Sequence, residues 1–275
     1  MSTSVRVRVQ DRAPERVGVG GSVRAVRVMI ARNLLIYRHT WALLLAEVLE
    51  PVLYLGSIGL GIGVLVGRLS GLGAATVSYP QFVAPALLAT AAMNGALNET
   101  AFLMYNRLAV QRVYQPILAT PMTVGEVALG EVAWAVLRSV AVTIGFLGIV
   151  AAFGLIASPW VLLGLLGVAV IGFCFACIGL LVATSVRGFP DFQYVQLVML
   201  PMFLFATTFY PLGVYPRPIQ IVVECLPLYQ AIELLRRPAL GLVDPHLLLS
   251  AAYLLVLGGL ALHVGLRRLR RTLAN

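Results

Sequence analysis

The sequence contains no lysine: all twenty basic side chains are arginine. A phosphate-binding loop ending in Gly-Lys-Ser/Thr therefore cannot be written anywhere in it, and the chain cannot bind a nucleoside triphosphate in that way. Charge of either sign is scarce, at 11% of residues, where soluble domains carry roughly a quarter. Three histidines, His39, His246 and His263, lie apart near the ends of apolar runs, so neither a Ser-His-Asp set nor a metal site can be assembled from spacing. The three cysteines form no disulfide framework. Cys174 and Cys177 share one side of an apolar helix, where free cysteine packs as a small hydrophobe.

What is present in quantity is apolar. Hydrophobic residues make up 60% of the 275, and mean hydropathy is +0.93. They come in blocks of about 20 or more, the length a helix needs to cross a hydrocarbon core roughly 30 Å thick. The formal net charge of +9 invites a nucleic-acid reading, but the arginines are distributed otherwise. Eight precede residue 39, and Arg267, Arg268, Arg270 and Arg271 close the chain. Both groups flank apolar runs, as cytoplasmic anchors on anionic lipid do, and no nucleic-acid partner is expected. The arginine-broken first forty residues do not read as a cleavable signal peptide.

The expected fold is all-α and polytopic. A mobile cytoplasmic tail, 1–22, precedes an amphipathic interface helix, 23–41, with Val26, Ile30, Leu34, Tyr37 and Trp41 on one face and Arg24, Arg27 and Arg38 on the other. A helix packed on protein is the other reading of that pattern. Six spans follow at about 42–66, 79–104, 124–153, 159–185, 192–209 and 246–266, within a membrane domain over 23–271, and 272–275 is a short tail. Thr123 and Glu126 spell a capping box that starts the third span near Val124. Between spans five and six the prolines around Tyr210–Pro218 forbid a continuous helix. The apolar stretch to Leu228 is too short to cross, which fits an extracytoplasmic re-entrant hairpin or an interfacial piece. A short polar segment with Glu233, Arg236 and Arg237 then leads to the last span. Fifteen arginines fall on one side and four on the other, which puts both termini in the cytoplasm.

Gly59, Gly63 and Gly67 recur every four residues and allow close helix approach. More unusual are the polar residues inside the inner halves of the first three spans: Glu47 and Glu50, then Asn94, Asn98 and Glu99, then Glu131 and Arg138. An ionised group in hydrocarbon costs at least about 2.5 kcal/mol, so these side chains should face protein or water. Arg138 is expected to pair with Glu131 or Glu99 and hold spans two and three together, either as static glue or in contact with substrate.

Taken in order, a series of short segments carries a resemblance. They are Glu50-Pro51-Val52-Leu53-Tyr54, Phe82 to Leu88, Asn94-Gly95-Ala96 through Glu99-Thr100, Gln115 to Pro121, Gly130-Glu131 with Trp134, Asp191-Phe192, Pro201 with Phe203-Leu204-Phe205, Phe209 to Leu212, and Leu226-Pro227-Leu228. The chain resembles the type-2 ABC transporter permeases, in the branch of nodulation lipo-oligosaccharide exporters and daunorubicin-type drug exporters. The resemblance implies two permease chains working with a pair of separate ABC ATPase subunits in the inner membrane, with ATP and Mg held by the ATPase and no cofactor on this chain. It implies a coupling helix in the loop Tyr105–Thr123, for which Arg107, Arg112, Tyr114, Gln115 and Pro116 are the candidate contacts. An amphiphilic cargo, lipid-linked or lipophilic, suits the sparsely charged path. A membrane-embedded lipid-modifying enzyme, or a channel or scaffold without an ATPase partner, are the competing classes.

Overall fold

The computed structural model describes residues 19–38, 41–66, 68–69, 77–154 and 158–274. The chain is a multi-pass, helical membrane protein. Its helices are α1 (Val19–Tyr37), α2 (Trp41–Tyr54), α3 (Gly61–Val66), α4 (Tyr79–Leu97), α5 (Tyr114–Leu118), α6 (Val124–Ala152), α7 (Leu163–Ala183), α8 (Phe192–Phe205), α9 (Arg217–Glu224), α10 (Pro227–Ala239) and α11 (His246–Ala274). Among the described residues, the departure from an all-helical chain is a short antiparallel ladder of β1 (Arg68–Leu69) with β2 (Val77–Ser78), between the first two expected spans.

Local sequence sets the ends of these helices. Ser78 donates its backbone N–H to Gln81 Oε1 at 3.1 Å as α4 begins. Thr123 and Glu126 form the capping box of α6: the Glu126 N–H donates to Thr123 Oγ1 at 3.3 Å and the Thr123 N–H to Glu126 Oε2 at 2.8 Å. Three segments are π-helical, Leu55–Leu60 after α2, Asn98–Leu103 directly after α4, and Asn106–Val110 beyond it. Pro51, inside α2, deprives the helix of one amide donor just before the first of them.

α7 is the central helix, packing against α11, α6, α4 and α10. Cys174 and Cys177 lie on it, wholly buried in the main core with Val168, Ile171 and Phe175. α1 packs along the start of α6 on a face close to the expected one, with Tyr37 buried, Val26 and Ile30 half-buried and Arg24, Arg27 and Arg38 exposed, but rotated away from Leu34. Met29, Asn33 and Tyr37 are the buried residues, while Leu34 is 60% exposed. Tertiary contact and a buried hydrogen bond at Asn33 outweigh the simple apolar stripe. α1 also begins at Val19, inside the stretch read as tail, and residues 1–18 and Trp41's side chain lie outside what is described.

Four runs are long and apolar enough to cross a membrane, Leu44–Gly63, Val124–Ala152, Pro159–Ala183 and His246–Leu273, and the pair α9–α10, bent by 85°, makes a fifth if it counts as one span. The expected spans at 79–104 and 192–209 are not among them, for physical reasons. α4 is buried along most of its length and carries Gln81, Thr90 and Asn94, so protein rather than lipid surrounds it. α8 has 14 residues, roughly 21 Å at 1.5 Å per residue, short of the hydrocarbon thickness. The short polar segment with Glu233, Arg236 and Arg237 before the last span is part of a helix, α10. It starts with Pro227 in its first turn and buries Leu228, Ala231, Ile232 and Leu235 against α4, α7 and α11.

Candidate functional site

α1, the end of α4, the 106–118 segment and the start of α6 converge at one end of the bundle, and six charged side chains meet there. Arg138 on α6 donates to Glu99 Oε2 at 2.6 Å and also to Glu47 Oε1 on α2. Arg107 donates to Glu99 Oε1 at 2.9 Å and to Glu131 Oε2 at 2.7 Å. Arg32 on α1 donates to Glu131 Oε1 at 2.7 Å. The order Glu47, Arg138, Glu99, Arg107, Glu131, Arg32 is thus an unbroken ladder of alternating sign, with three carboxylates balancing three guanidiniums.

Neutral side chains complete it. Tyr37 donates its hydroxyl to Glu99 at 2.6 Å, and its ring lies 5.0 Å from the Arg138 guanidinium carbon. Tyr114 donates to Glu131 at 2.9 Å, and the Asn33 amide does so at 3.2 Å. Glu99 and Glu131 are fully buried, yet each oxygen has a donor. That is the condition under which an ionised carboxylate can be held away from water. Burial works against the charge on Arg107, but Glu131 and Glu99 outweigh it and hold its guanidinium above the usual range. Burial and the Glu131 carboxylate push the Tyr114 phenol well above its ordinary value, so it remains a donor.

Two close approaches fix the geometry. A Cβ at Gly130 would lie 2.6 Å from Met29 Cβ, so only glycine lets α1 come near enough to α6 for Arg32 and Asn33 to reach Glu131. A Cβ at Gly179 on α7 would lie 2.1 Å from Thr100 Oγ1, so glycine there seats the π-helical turn that carries Glu99.

The sequence candidates separate by where their side chains lie. Glu47, Glu99, Glu131 and Arg138 are in the ladder, with Arg138 meeting Glu99 and not Glu131. Glu50 and Asn94 line a groove between α2, α4 and α8, and Asn98 is exposed. Of the coupling-loop candidates, Arg107 and Tyr114 turn inward to the ladder, while Arg112, Gln115 and Pro116 stay on the surface. Arg112 holds a left-handed φ of +49° where the chain reverses into α5. Gly59 and Gly63 face the start of α4, a Cβ on either lying 3.5 Å from the Pro80 ring, and Gly67 is outside the described residues. Sequence reasoning missed Arg32 and Asn33 as site residues. The available signal was Asn33 between Met29 and Tyr37 at four-residue spacing, a helical face interrupted by one amide.

Comparison with known proteins places this arrangement in context. The ABC-2 type transporter family matches residues 24–239. Nodulation protein J of Rhizobium leguminosarum bv. viciae is 35% identical over 214 residues, covering 76% of this chain and 80% of the relative. The protein of the same name from Rhizobium leguminosarum bv. trifolii is 32% identical over 223 residues, 81% of this chain and 83% of the relative. That from Neorhizobium galegae is 31% identical over 249 residues, 89% and 92% respectively.

Proposed function

The chain belongs to the ABC-2 type transporter family, and we propose that it is the permease subunit of an ABC exporter that moves a lipophilic or lipid-linked substrate, such as a lipo-oligosaccharide, glycolipid or drug, out of the cytoplasm or inner leaflet. In this reading it crosses the inner membrane six times, α4 crossing inside the bundle and the 14-residue α8 crossing together with the turns that flank it, with both termini inside; it works with a second permease chain and is driven by a pair of ATPase subunits that hold the ATP and Mg. Catalysis belongs to those subunits, since a chain without lysine has no phosphate-loop lysine to offer.

The observation that carries this reading is the ladder. Arg32 lies on α1 and Arg107 and Tyr114 on the 106–118 segment, and both are tied through buried carboxylates to α2, α4 and α6. A force applied at the exposed Arg112, Gln115 and Pro116 therefore reaches the spans through charge-assisted bonds, which are short and directional. ATP-driven closure of the ATPase pair would bias the spans between inward and outward access.

The test is purification in mild detergent after co-expression with a candidate ABC ATPase subunit. The expected result is a complex with nucleotide hydrolysis, lost in Arg112→Glu without loss of the folded permease. A stable chain that never retains a nucleotide-binding protein would overturn the reading.

A further inference from the structure

Three acidic residues near this end of the bundle are used by the ladder and Glu126 by the cap of α6, which leaves Glu50 over. Glu50 lies one turn from Glu47 on α2, is exposed, and among the described residues has no cation and no hydrogen-bond donor of its own. It opens onto a groove of about 250 Å³ between α2, α4 and α8. The groove has two chemical poles. Glu50, Asn94 and Gln196 present polar ends that take no part in hydrogen bonds within the described residues, while Tyr54, Met199 and Phe203 supply apolar and aromatic surface.

We propose that this groove binds an amphiphile with a protonated amine head, Glu50 serving as its counter-ion, Asn94 and Gln196 as its hydrogen-bond partners, and Met199 and Phe203 as the bed for its apolar part. Charge selects the head. The ladder is neutral, so the Glu50 carboxylate is the uncompensated charge facing the groove, and in a site walled by low-dielectric side chains it favours a cation. Position selects the tail. Gln196, Met199, Leu200 and Phe203 lie at i, i+3, i+4 and i+7 on α8, one continuous face turned into the groove. The flexible thioether of Met199 tolerates tails of differing shape. That this ligand is cargo rests on the permease reading, but its binding does not.

The test uses rhodamine 6G, a lipophilic cation, and the full chain alone in phosphatidylcholine nanodiscs, read by fluorescence anisotropy. Saturable binding is expected, weakened about tenfold (about 1.4 kcal/mol) in Glu50→Gln and abolished in Met199→Trp, which fills the groove. Glu50 holds no partner, so Glu50→Gln should unfold at the wild-type temperature, which separates lost binding from lost fold. Equal affinity in Glu50→Gln overturns the proposal, as does displacement of the dye by neutral dodecyl maltoside as readily as by dodecylamine. Dye binding that survives in a chain retaining no ATPase defeats the permease reading alone; loss of dye binding in a chain that retains one defeats the groove alone.

Discussion

Replacing Glu99 by Gln tests whether the ladder acts as one unit. Glu99 joins Arg138 to Arg107 and accepts from Tyr37, all in a fully buried position. The substitution keeps size and shape but removes one negative charge, so the cluster passes from neutral to a net charge of +1. Removing one partner of a buried pair costs about 3–5 kcal/mol. Each stranded guanidinium keeps a second carboxylate, Glu47 for Arg138 and Glu131 for Arg107, which puts the expected loss near the lower end, about 3 kcal/mol. Arg107→Gln should cost a similar amount. In the double variant the remaining charges form two neutral pairs, Glu47 with Arg138 and Glu131 with Arg32. Its loss should fall short of the sum of the singles by more than about 1 kcal/mol, whereas independent sites add to within about 0.5 kcal/mol. Unfolding in a detergent titration, with Glu50→Gln as a control for an unpaired carboxylate, gives all four corners of the cycle. Additivity of the two losses would refute the ladder as a coupled network.

Three further outcomes follow from the same geometry. Gly130→Ala places a methyl 2.6 Å from Met29 Cβ; it should push α1 from α6 and cost about 1–3 kcal/mol in the same titration, and in a Met29→Gly background, where that Cβ is gone, the further cost of Gly130→Ala should largely vanish. Arg112→Gly removes a side chain from a backbone at φ +49°, so stability should rise by up to about 1 kcal/mol while retention of the ATPase on affinity purification falls. Arg236→Met removes the guanidinium that donates to the Thr207 carbonyl at 2.7 Å and the Phe82 carbonyl at 3.3 Å; thermal unfolding should come earlier by an amount equivalent to about 2–3 kcal/mol, with protease sensitivity appearing between α8 and α9.

Much of this architecture is legible in the sequence where the signal is local. The Thr123–Glu126 cap marks the start of α6, and the apolar runs mark α6, α7 and α11. The partner of Arg138 is harder, because two carboxylates qualify on charge alone. Helical rise decides between them: Glu131 is seven residues away on the same helix, roughly 10 Å along its axis, whereas Glu99 arrives from a neighbouring helix at 2.6 Å. α10 was obscured by its charges, although Pro227 and the apolar spacing of Leu228, Ala231, Ile232 and Leu235 spell a helix. Arg236 sits among those apolar residues because two backbone carbonyls and the Phe82 ring, 3.9 Å from its guanidinium carbon, take the place of water. No local pattern announces that.

The π-helical turn Asn98–Leu103 is the point at which two kinds of contact diverge. Residues three apart share a face of an α-helix, but a π turn, bonded i to i+5, advances less per residue, so Glu99 and Phe102 point in different directions. Glu99 enters the ladder. Phe102 meets Phe189 at 5.6 Å and Phe192 at 5.4 Å, and Tyr105 touches the same two rings at 5.5 Å. Those rings stand at the entry to α8, whose Met199, Met202 and Phe203 pack against the main core. The one turn is therefore held on one side by charge to α1 and α6 and on the other by aromatic edges to the helix that walls the groove. On the permease reading, a displacement of Arg107 moves Glu99 directly and α8 through Phe102 and Tyr105, so the width of the groove beside Glu50 changes with the position of the coupling segment. A regular α-helical turn would stack Glu99 and Phe102 on one face and could not grip both partners at once.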